Sequence, residues 1–235
     1  MLDYFKVPEE DVVTVDVKNL RRVTEQMFIK CGVEAEEARL GADVLMHADL
    51  RGIETHGVSN LLRHYISWYN NGTTNPNPNW KIVRESPTTA TIDGDNGLGL
   101  MTAYHAMNLA IEKAEKYGTG SISIRNSAHC GAVGYFAMMA LEYDMIGTCM
   151  TAGGNTMVPT FGAEAKLGTN PIAIAVPTKS KPPFVFDAAT TTIAANDDAT
   201  TKRRWYAPRT TTWFRNAKAT KQADWNADCS IAKHA

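Results

Sequence analysis

Ala48-Asp-Leu-Arg-Gly-Ile-Glu-Thr-His-Gly-Val-Ser-Asn-Leu-Leu-Arg-His-Tyr65 is the stretch that divides the chain. One helical pattern stops here, chemically capable side chains crowd together, and a second pattern begins. Gly52 and Gly57 bracket the polar run Glu54-Thr55-His56, the composition of a turn that lets backbone and imidazole approach something closely. Beyond Gly57, the residues Val58, Leu61, Leu62, Tyr65 and Trp68 keep helical spacing, which sets His56, Asn60 and Arg63 on the opposite face. One imidazole, one amide and one guanidinium on a common face suit a small polar anion.

N-terminal to this stretch, Asp16 caps an expected helix whose apolar residues Leu20, Val23, Met27 and Cys31 share a face, and Gly32 ends it. A second helix is expected from about Glu34 to Asp49, with Ala38, Ala42, Leu45 and Met46 inward. The helix after His56 should end near Asn70-Asn-Gly72, and Thr73 to Asn79, with two prolines, reads as a stiff linker. Residues 1–79 thus form a helical region.

From Trp80 the pattern changes. Trp80 to Arg84 and Thr88 to Ile92 read as short strands, and Asp93-Gly-Asp-Asn-Gly97 as a turn. A helix from about Leu98 to Tyr117 carries Leu100, Ala103, Met107, Ala110 and Ala114 on one stripe and stops at Gly118. Then come a strand at Ser121 to Ile124, a helix from Val133 to Tyr143, and a strand from Ile146 to Thr151. A loop from Ala152 to Lys166 leads to two apolar strands, Ile172 to Val176 and Phe184 to Phe186. Residues 80–195 should therefore be a mixed-sheet domain, making the whole an α/β (mixed α+β) protein.

The last forty residues, 196–235, are compositionally foreign to the rest. They contain no Gly, Leu or Val, although the chain has 17 glycines, and they carry eight Lys/Arg against four Asp. Their three tryptophans, at 205, 213 and 225, show no helical or strand periodicity, so a poorly ordered or loosely attached tail is expected. Basic residues among aromatics also suit single-stranded nucleic acid, but no binding module surrounds them.

Whole-chain properties narrow the function. A length of 235 residues with 44% hydrophobic content supports a proper core, and a net charge of −1 argues against a nucleic-acid or anionic-membrane binder. The four cysteines (31, 130, 149 and 229) form neither C-x-x-C pairs nor a disulfide framework, pointing to a reducing compartment. Met1 to Glu10 lacks the features of a signal peptide and no stretch is long enough to span a bilayer, so a soluble cytoplasmic protein is expected.

His56, His129 and Asp187 are the chief candidates for chemistry. His56 reads as well as a helix-start histidine bonded to backbone, but the glycines and polar neighbours favour function. His129 lies in Asn126-Ser-Ala-His-Cys-Gly131, a strand-to-helix junction where helix N–H groups receive an anion or a polarised carbonyl; a lone histidine there is more often structural. Asp187 ends an apolar strand and either caps the next helix or orients a histidine. Gly97-Leu-Gly-Leu-Met-Thr102 only partly resembles a dinucleotide fingerprint, since Thr replaces the third Gly. No close ligand spacing supports a metal site, and Cys130 is no nucleophile for its neighbour His129, since adjacent side chains diverge. Gly153-Gly-Asn-Thr-Met-Val-Pro159 and Gly168-Thr-Asn-Pro171 suit backbone contacts to a ligand or plain loops.

Taken together, Ala-Asp-Leu-Arg-Gly-Ile-Glu-Thr-His-Gly (48–57), Asn-Ser-Ala-His-Cys-Gly-Ala (126–132), Leu-Gly-Thr-Asn-Pro-Ile-Ala (167–173) and Phe-Asp-Ala-Ala-Thr (186–190) resemble the malate/L-lactate dehydrogenase family, over roughly residues 12–195. That family also contains ureidoglycolate and sulfolactate dehydrogenases and cyclic imino-acid reductases. The resemblance implies a helical substrate-side domain beside a central mixed-sheet cofactor domain, not a Rossmann fold. It implies hydride transfer between NAD or NADP and a small 2-hydroxy or 2-oxo acid, usually by a homodimer. It places His129 as proton acceptor, His56 at the substrate and Asp187 beside them, with Thr55, Asn60 and Arg63 on the substrate side. Gly153, Thr169, Asn170, Pro171, Asp187, Ala188 and Ala189 fall on the cofactor side. Many family members have an arginine where this chain has Asn60, and Arg63, one turn on, is expected to replace its grip on a carboxylate. Family members also continue beyond this length, so the alternative expectation is a truncated, non-catalytic remnant whose tail is out-of-frame or foreign sequence.

Overall fold

The computed structural model describes residues 14–191 and the backbone of 225–233. Three helices come first: α1 (Val17–Lys30), α2 (Ala35–Leu50) and α3 (Val58–Asn70), with a 3-10 turn, Glu54–His56, between the last two. Asp16 caps α1, its Oδ1 accepting from Asn19 N–H at 2.8 Å. The buried stripe of α1 differs from the expected one. Thr24 and Phe28 are its buried residues, whereas Val23 is exposed and Leu20, Met27 and Cys31 pack at the margin. The Thr24 hydroxyl donates to Leu20 C=O, which satisfies it inside an apolar interface. In α2 all four expected inward residues are buried, and α3 buries Val58, Leu62, Tyr65 and Tyr69.

The sheet begins with β1 (Lys81–Glu85) and β2 (Thr89–Gly97), antiparallel neighbours. β2 runs on through the residues expected to form a turn; Asp95 and Asn96 adopt positive φ there, and pairing with the next strand is irregular between Asp93 and Gly97. Next, α4 (Gly99–Tyr117) connects β2 to the parallel strand β3 (Thr119–Ser127), burying its whole expected stripe and closing on Gly118 with φ +84°. Gly120 of β3 lies so close to α4 that a Cβ would overlap the Ala110 carbonyl. The expected helix over 133–143 is split into α5 (Gly134–Met139) and a 3-10 turn, Ala140–Tyr143. Then follow β4 (Met145–Ala152), β5 (Ile172–Val176) and β6 (Phe184–Ala188), each antiparallel to its neighbour.

The largest difference from expectation lies in the tail. Residues Trp225–Lys233 form β7 at the centre of the sheet, antiparallel to both β3 and β4, giving the order β1-β2-β3-β7-β4-β5-β6. Trp225, Ala227, Cys229 and Ile231 do alternate with polar residues, a period-2 pattern hidden by the polar average of the surrounding segment. The rest of the tail, the N-terminal stretch read for a signal peptide and Cys229's side chain lie outside the described residues. With β2 and β3 as the only parallel pair among the described residues, the sheet is mixed and unlike a doubly wound dinucleotide fold.

Helices cover one face of the sheet. On that face β2 buries Ala90 and Ile92, β3 buries Ile122 and Ile124, and β5 buries Ala173 and Ala175. The opposite face changes character along its width. It presents Thr91, Asp93, Ser121 and Ser123 on β2 and β3, but Ile172, Ile174, Val176, Phe184 and Phe186 on β5 and β6. No helix among the described residues is long and apolar enough to cross a membrane.

Candidate functional site

The 48–65 stretch builds its turn from the residues that made it conspicuous. A Cβ on Gly57 would overlap the Asp49 carboxylate, which instead accepts from Val58 N–H at 2.9 Å and satisfies the start of α3. Asn60 turns its amide back onto Thr55 C=O at 2.7 Å, and Thr55 Oγ1 lies 2.8 Å from His56 Nδ1. Asn60 and Thr55 therefore steady the turn that carries His56, and the Asn60 amide, which spacing sets on an open face with His56 and Arg63, is engaged with backbone. Arg63 is exposed on α3.

His129, on the loop after β3, meets this turn directly. Its ring stacks on His56 with centroids 5.7 Å apart and planes 21° from parallel. Tyr65 Oη lies 2.7 Å from His129 Nδ1, and Gly131 N–H also approaches Nδ1, at 3.2 Å. Burial, then His56 and His64, pushes the His129 pKa down to about 3, so the ring is neutral at neutral pH. The pKa of His56 is lowered by burial too, against the opposing pull of Asp187.

Asp187 approaches from β6. Its Oδ2 accepts from Gly134 N–H at 2.8 Å, so it caps α5, an earlier helix and not the one expected to follow it. The carboxyl is held above the usual carboxylate range by partial burial, opposed by the Gly134 N–H, by His56 and by Arg51. The helix-start amide near His129 that was expected to receive an anion is thus occupied by Asp187.

The cofactor-side candidates form a second cluster. Gly153 N–H donates to Asn170 Oδ1 at 2.8 Å, and Thr190 N–H donates to Thr169 C=O at 2.9 Å, tying the loops after β4, before β5 and after β6 together. A Cβ on Gly168 would overlap the Gly153 backbone, so only glycine permits this approach. Pro171 and Ala189 lie along the same loops, and Ala188 ends β6 beside them. Thr191 Oγ1, next to Asp187-Ala188-Ala189-Thr190, is buried without a hydrogen-bond partner among the described residues. The small residues of these loops and the Thr191 hydroxyl are compatible with the sugar and amide groups of a nicotinamide cofactor. An open groove at the C-terminal end of α4, lined by Glu85, Leu109 and Lys113, holds none of these residues. Among the described residues no group of three or more His, Cys, Asp or Glu is placed to hold a metal ion.

Three contributors were absent from the sequence reading: Asp49, Arg51 and Tyr65. Tyr65 carried a usable signal, since a phenol within the buried stripe of α3 needs a hydroxyl partner. Arg51 belongs to the decisive stretch itself, at the C-terminal end of α2, and is the cation acting on Asp187.

Two histidines and a carboxylate drawn from segments far apart in sequence thus converge beside small-residue loops on a mixed sheet. The chain belongs to the malate/L-lactate dehydrogenase family, whose profile matches residues 15–224 and so reaches past residue 195, where the motifs end. It is 46% identical over 191 residues to the malate dehydrogenase of Pyrococcus abyssi, covering 81% of this chain and 50% of that protein. It is 44% identical over 177 residues to the L-sulfolactate dehydrogenase of Methanocaldococcus jannaschii, covering 75% of this chain and 51% of that protein. The structure of the malate dehydrogenase of Pyrococcus horikoshii superposes with a TM-score of 0.77 at 44% identity, over 80% of this chain and 53% of that one. The chain therefore spans about half the length of the relatives it matches.

Proposed function

We propose that this chain is the substrate-activating part of an oxidoreductase that transfers hydride between a nicotinamide cofactor, NAD or NADP, and a small 2-hydroxy acid of the malate or sulfolactate type. The observation that carries the reading is the convergence of His56, His129 and Tyr65, with Asp187 acting on His56. In the oxidative direction, the cofactor supplies the two-electron acceptor for the hydride on the carbon bearing the hydroxyl. The hydroxyl proton passes to His129, which is neutral and therefore has a lone pair to offer. His56, steadied by Thr55 and Asn60, faces the substrate. Arg63, exposed one turn beyond Asn60, grips the substrate carboxylate as it arrives. Gly153, Thr169, Asn170, Pro171 and Asp187 to Ala189, with Thr191, hold the cofactor.

Homodimer formation is part of the proposal and rests on the family resemblance. A reducing, cytoplasmic setting is part of the proposal and is supported by the spacing of the four cysteines, which contains no C-x-x-C pair and no disulfide framework. The test is reduction of oxaloacetate, sulfopyruvate and pyruvate with NADH or NADPH, together with cofactor fluorescence titration. Turnover that disappears in His129→Asn supports the assignment; turnover unaffected by that change refutes the role of His129.

One observation favours a second reading, a non-catalytic remnant of such an enzyme. Among the described residues Phe184 and Phe186 are 56% and 46% exposed, on a sheet face that no described helix covers. Folded protein that neither binds cofactor nor turns over any 2-oxo acid would establish the remnant.

A further inference from the structure

Strand pairing brings two cysteines far apart in sequence face to face. In the antiparallel pairing of β4 with β7, Cys149 stands directly opposite Cys229. Directly opposed residues of such a pair have Cα atoms about 4.5 or about 5.5 Å apart, according to whether they exchange hydrogen bonds. A disulfide spans roughly 4.4–6.8 Å between Cα atoms, so both kinds of pair fall within its reach. Opposed positions also share one face of a sheet. The row they belong to shows which face this is. From its other side Cys229 meets Ile122 of β3, and Cys149 meets Ala173 of β5. Ile122, Cys149 and Ala173 are all fully buried, on the face that the helices cover. The remaining cysteines have no such place, since Cys31 closes α1 and Cys130 lies on the loop after β3.

We propose that Cys149 and Cys229 are an oxidation site, a thiol pair that a disulfide oxidant such as oxidised glutathione converts to a covalent bond between β4 and β7. One cysteine thiolate attacks the glutathione disulfide, which releases one glutathione and leaves a mixed disulfide on the protein. The thiolate of the opposed cysteine then attacks the protein sulfur of that mixed disulfide and displaces the second glutathione. One S–S bond is broken and one is formed. The cysteine pair loses two electrons, and the protons of its two thiols end on the two glutathione thiolates. In a reducing setting the pair stays as thiols, so the site responds to oxidation and is not a permanent staple.

The place of the bond gives it a consequence for the fold. β7 separates β3 from β4, and so joins the strand that leads to His129 to the strand that leads to Gly153. Closing Cys149 onto Cys229 makes a ring that contains β5, β6 and every residue proposed to hold the cofactor. Closing a ring of this length removes much conformational freedom from the unfolded chain, which makes the oxidised form the more stable one. The coupling is reciprocal: folding favours the bond by the same factor as the bond favours folding.

The experiment equilibrates the whole chain with mixtures of reduced and oxidised glutathione, starting from reduced and from oxidised protein, in native buffer and in about 8 M urea. After acid quenching and alkylation of the remaining thiols, tryptic mass spectrometry counts the bond. Trypsin leaves Cys229 in the peptide Gln222–Lys233 and Cys149 in Asn126–Lys166, which also holds Cys130. The link between these peptides should form with an equilibrium constant at least about tenfold larger in native buffer than in urea. It should vanish in Cys149→Ala and in Cys229→Ala and persist in Cys130→Ala. Equal constants in the two solvents overturn the proposal, as do a link through Cys130 and native protein that carries glutathione on Cys229 without the link. Fragment ions of the linked peptides tell Cys130 from Cys149 directly, so the unmodified chain decides even where a variant does not fold. No turnover is measured, so an inactive chain with the native-favoured link would remove the proposed function and leave this site standing.

Discussion

A neutral, enclosed imidazole makes stability fall in acid, and the size of that fall follows from His129. Its pKa is about 3 in the folded chain, against about 6.5 for an unperturbed histidine. Between these values the unfolded chain binds a proton that the folded chain refuses, so stability is full above about pH 6.5 and declines as pH drops toward 3. From pH 7.5 to pH 5 the loss is about 2 kcal/mol, roughly one and a half pH units at about 1.4 kcal/mol each. This is an upper value, because the ring retains some access to solvent. His47 and His56 also have lowered pKa values and add their own acid sensitivity, so the measurement is a difference. Urea denaturation of the unmodified protein and of His129→Gln, each at pH 7.5 and pH 5, cancels the shared contribution. The unmodified protein should lose up to about 2 kcal/mol more than the variant. Equal losses would mean that His129 is freely hydrated and that the enclosed cluster does not exist.

Other consequences can be checked in parallel. Gly57→Ala should cost about 1–3 kcal/mol in chemical denaturation, since the new methyl displaces the Asp49 carboxylate from Val58 N–H; a neutral effect would show that this cap is dispensable. Arg63→Ala should raise the KM for a 2-oxo acid about tenfold or more, the value of a charge-assisted hydrogen bond, and an unchanged KM would remove Arg63 from substrate binding. Lys113, 8% exposed, donates to Glu85 Oε1 at 2.8 Å and to Ser86 C=O at 2.9 Å. Removing only its counter-charge, with Glu85→Gln, should therefore lower Tm more than Lys113→Met, by about 1–2 kcal/mol in stability; the reverse order would count against a buried ammonium.

Much of the fold was legible because its helices are periodic over long windows. The α4 stripe of Leu100, Ala103, Met107, Ala110 and Ala114 repeats over most of the helix, and every member is buried. The α1 stripe departs from its pattern because Thr24 is buried in spite of its hydroxyl, through a bond to Leu20 C=O that no hydropathy pattern reveals. β7 escapes a sequence reading because seven alternating residues are a weak signal inside a polar segment, and because a strand's place in a sheet is set by long-range pairing. In the site, His56, His129 and Asp187 stand out through their neighbours. Asn60 does not show its job, because an amide reaching back to Thr55 C=O looks in sequence like one reaching for a substrate.

The two halves of the site differ in how completely the described residues enclose them, and this separates what should survive in the chain on its own. The imidazole cluster is set by α2, α3 and the loop after β3, where the helical face is buried and the opposite face of β2 and β3 is polar. The loops proposed to hold the cofactor follow β4, precede β5 and follow β6, where the opposite face carries Ile174, Val176, Phe184 and Phe186 and exposes two aromatic rings. Exposed apolar surface destabilises the elements that carry it and favours local opening. The Gly153 and Thr190 amides should then exchange faster than the α4 and β3 backbone, and cofactor affinity should suffer before the enclosure of His129 does. Amide hydrogen exchange resolves the two regions. Protection equal in β3 and in β5–β6 would show that the apolar face is covered in solution, and slow exchange confined to α4, β2 and β3 would show the substrate-activating cluster standing without it.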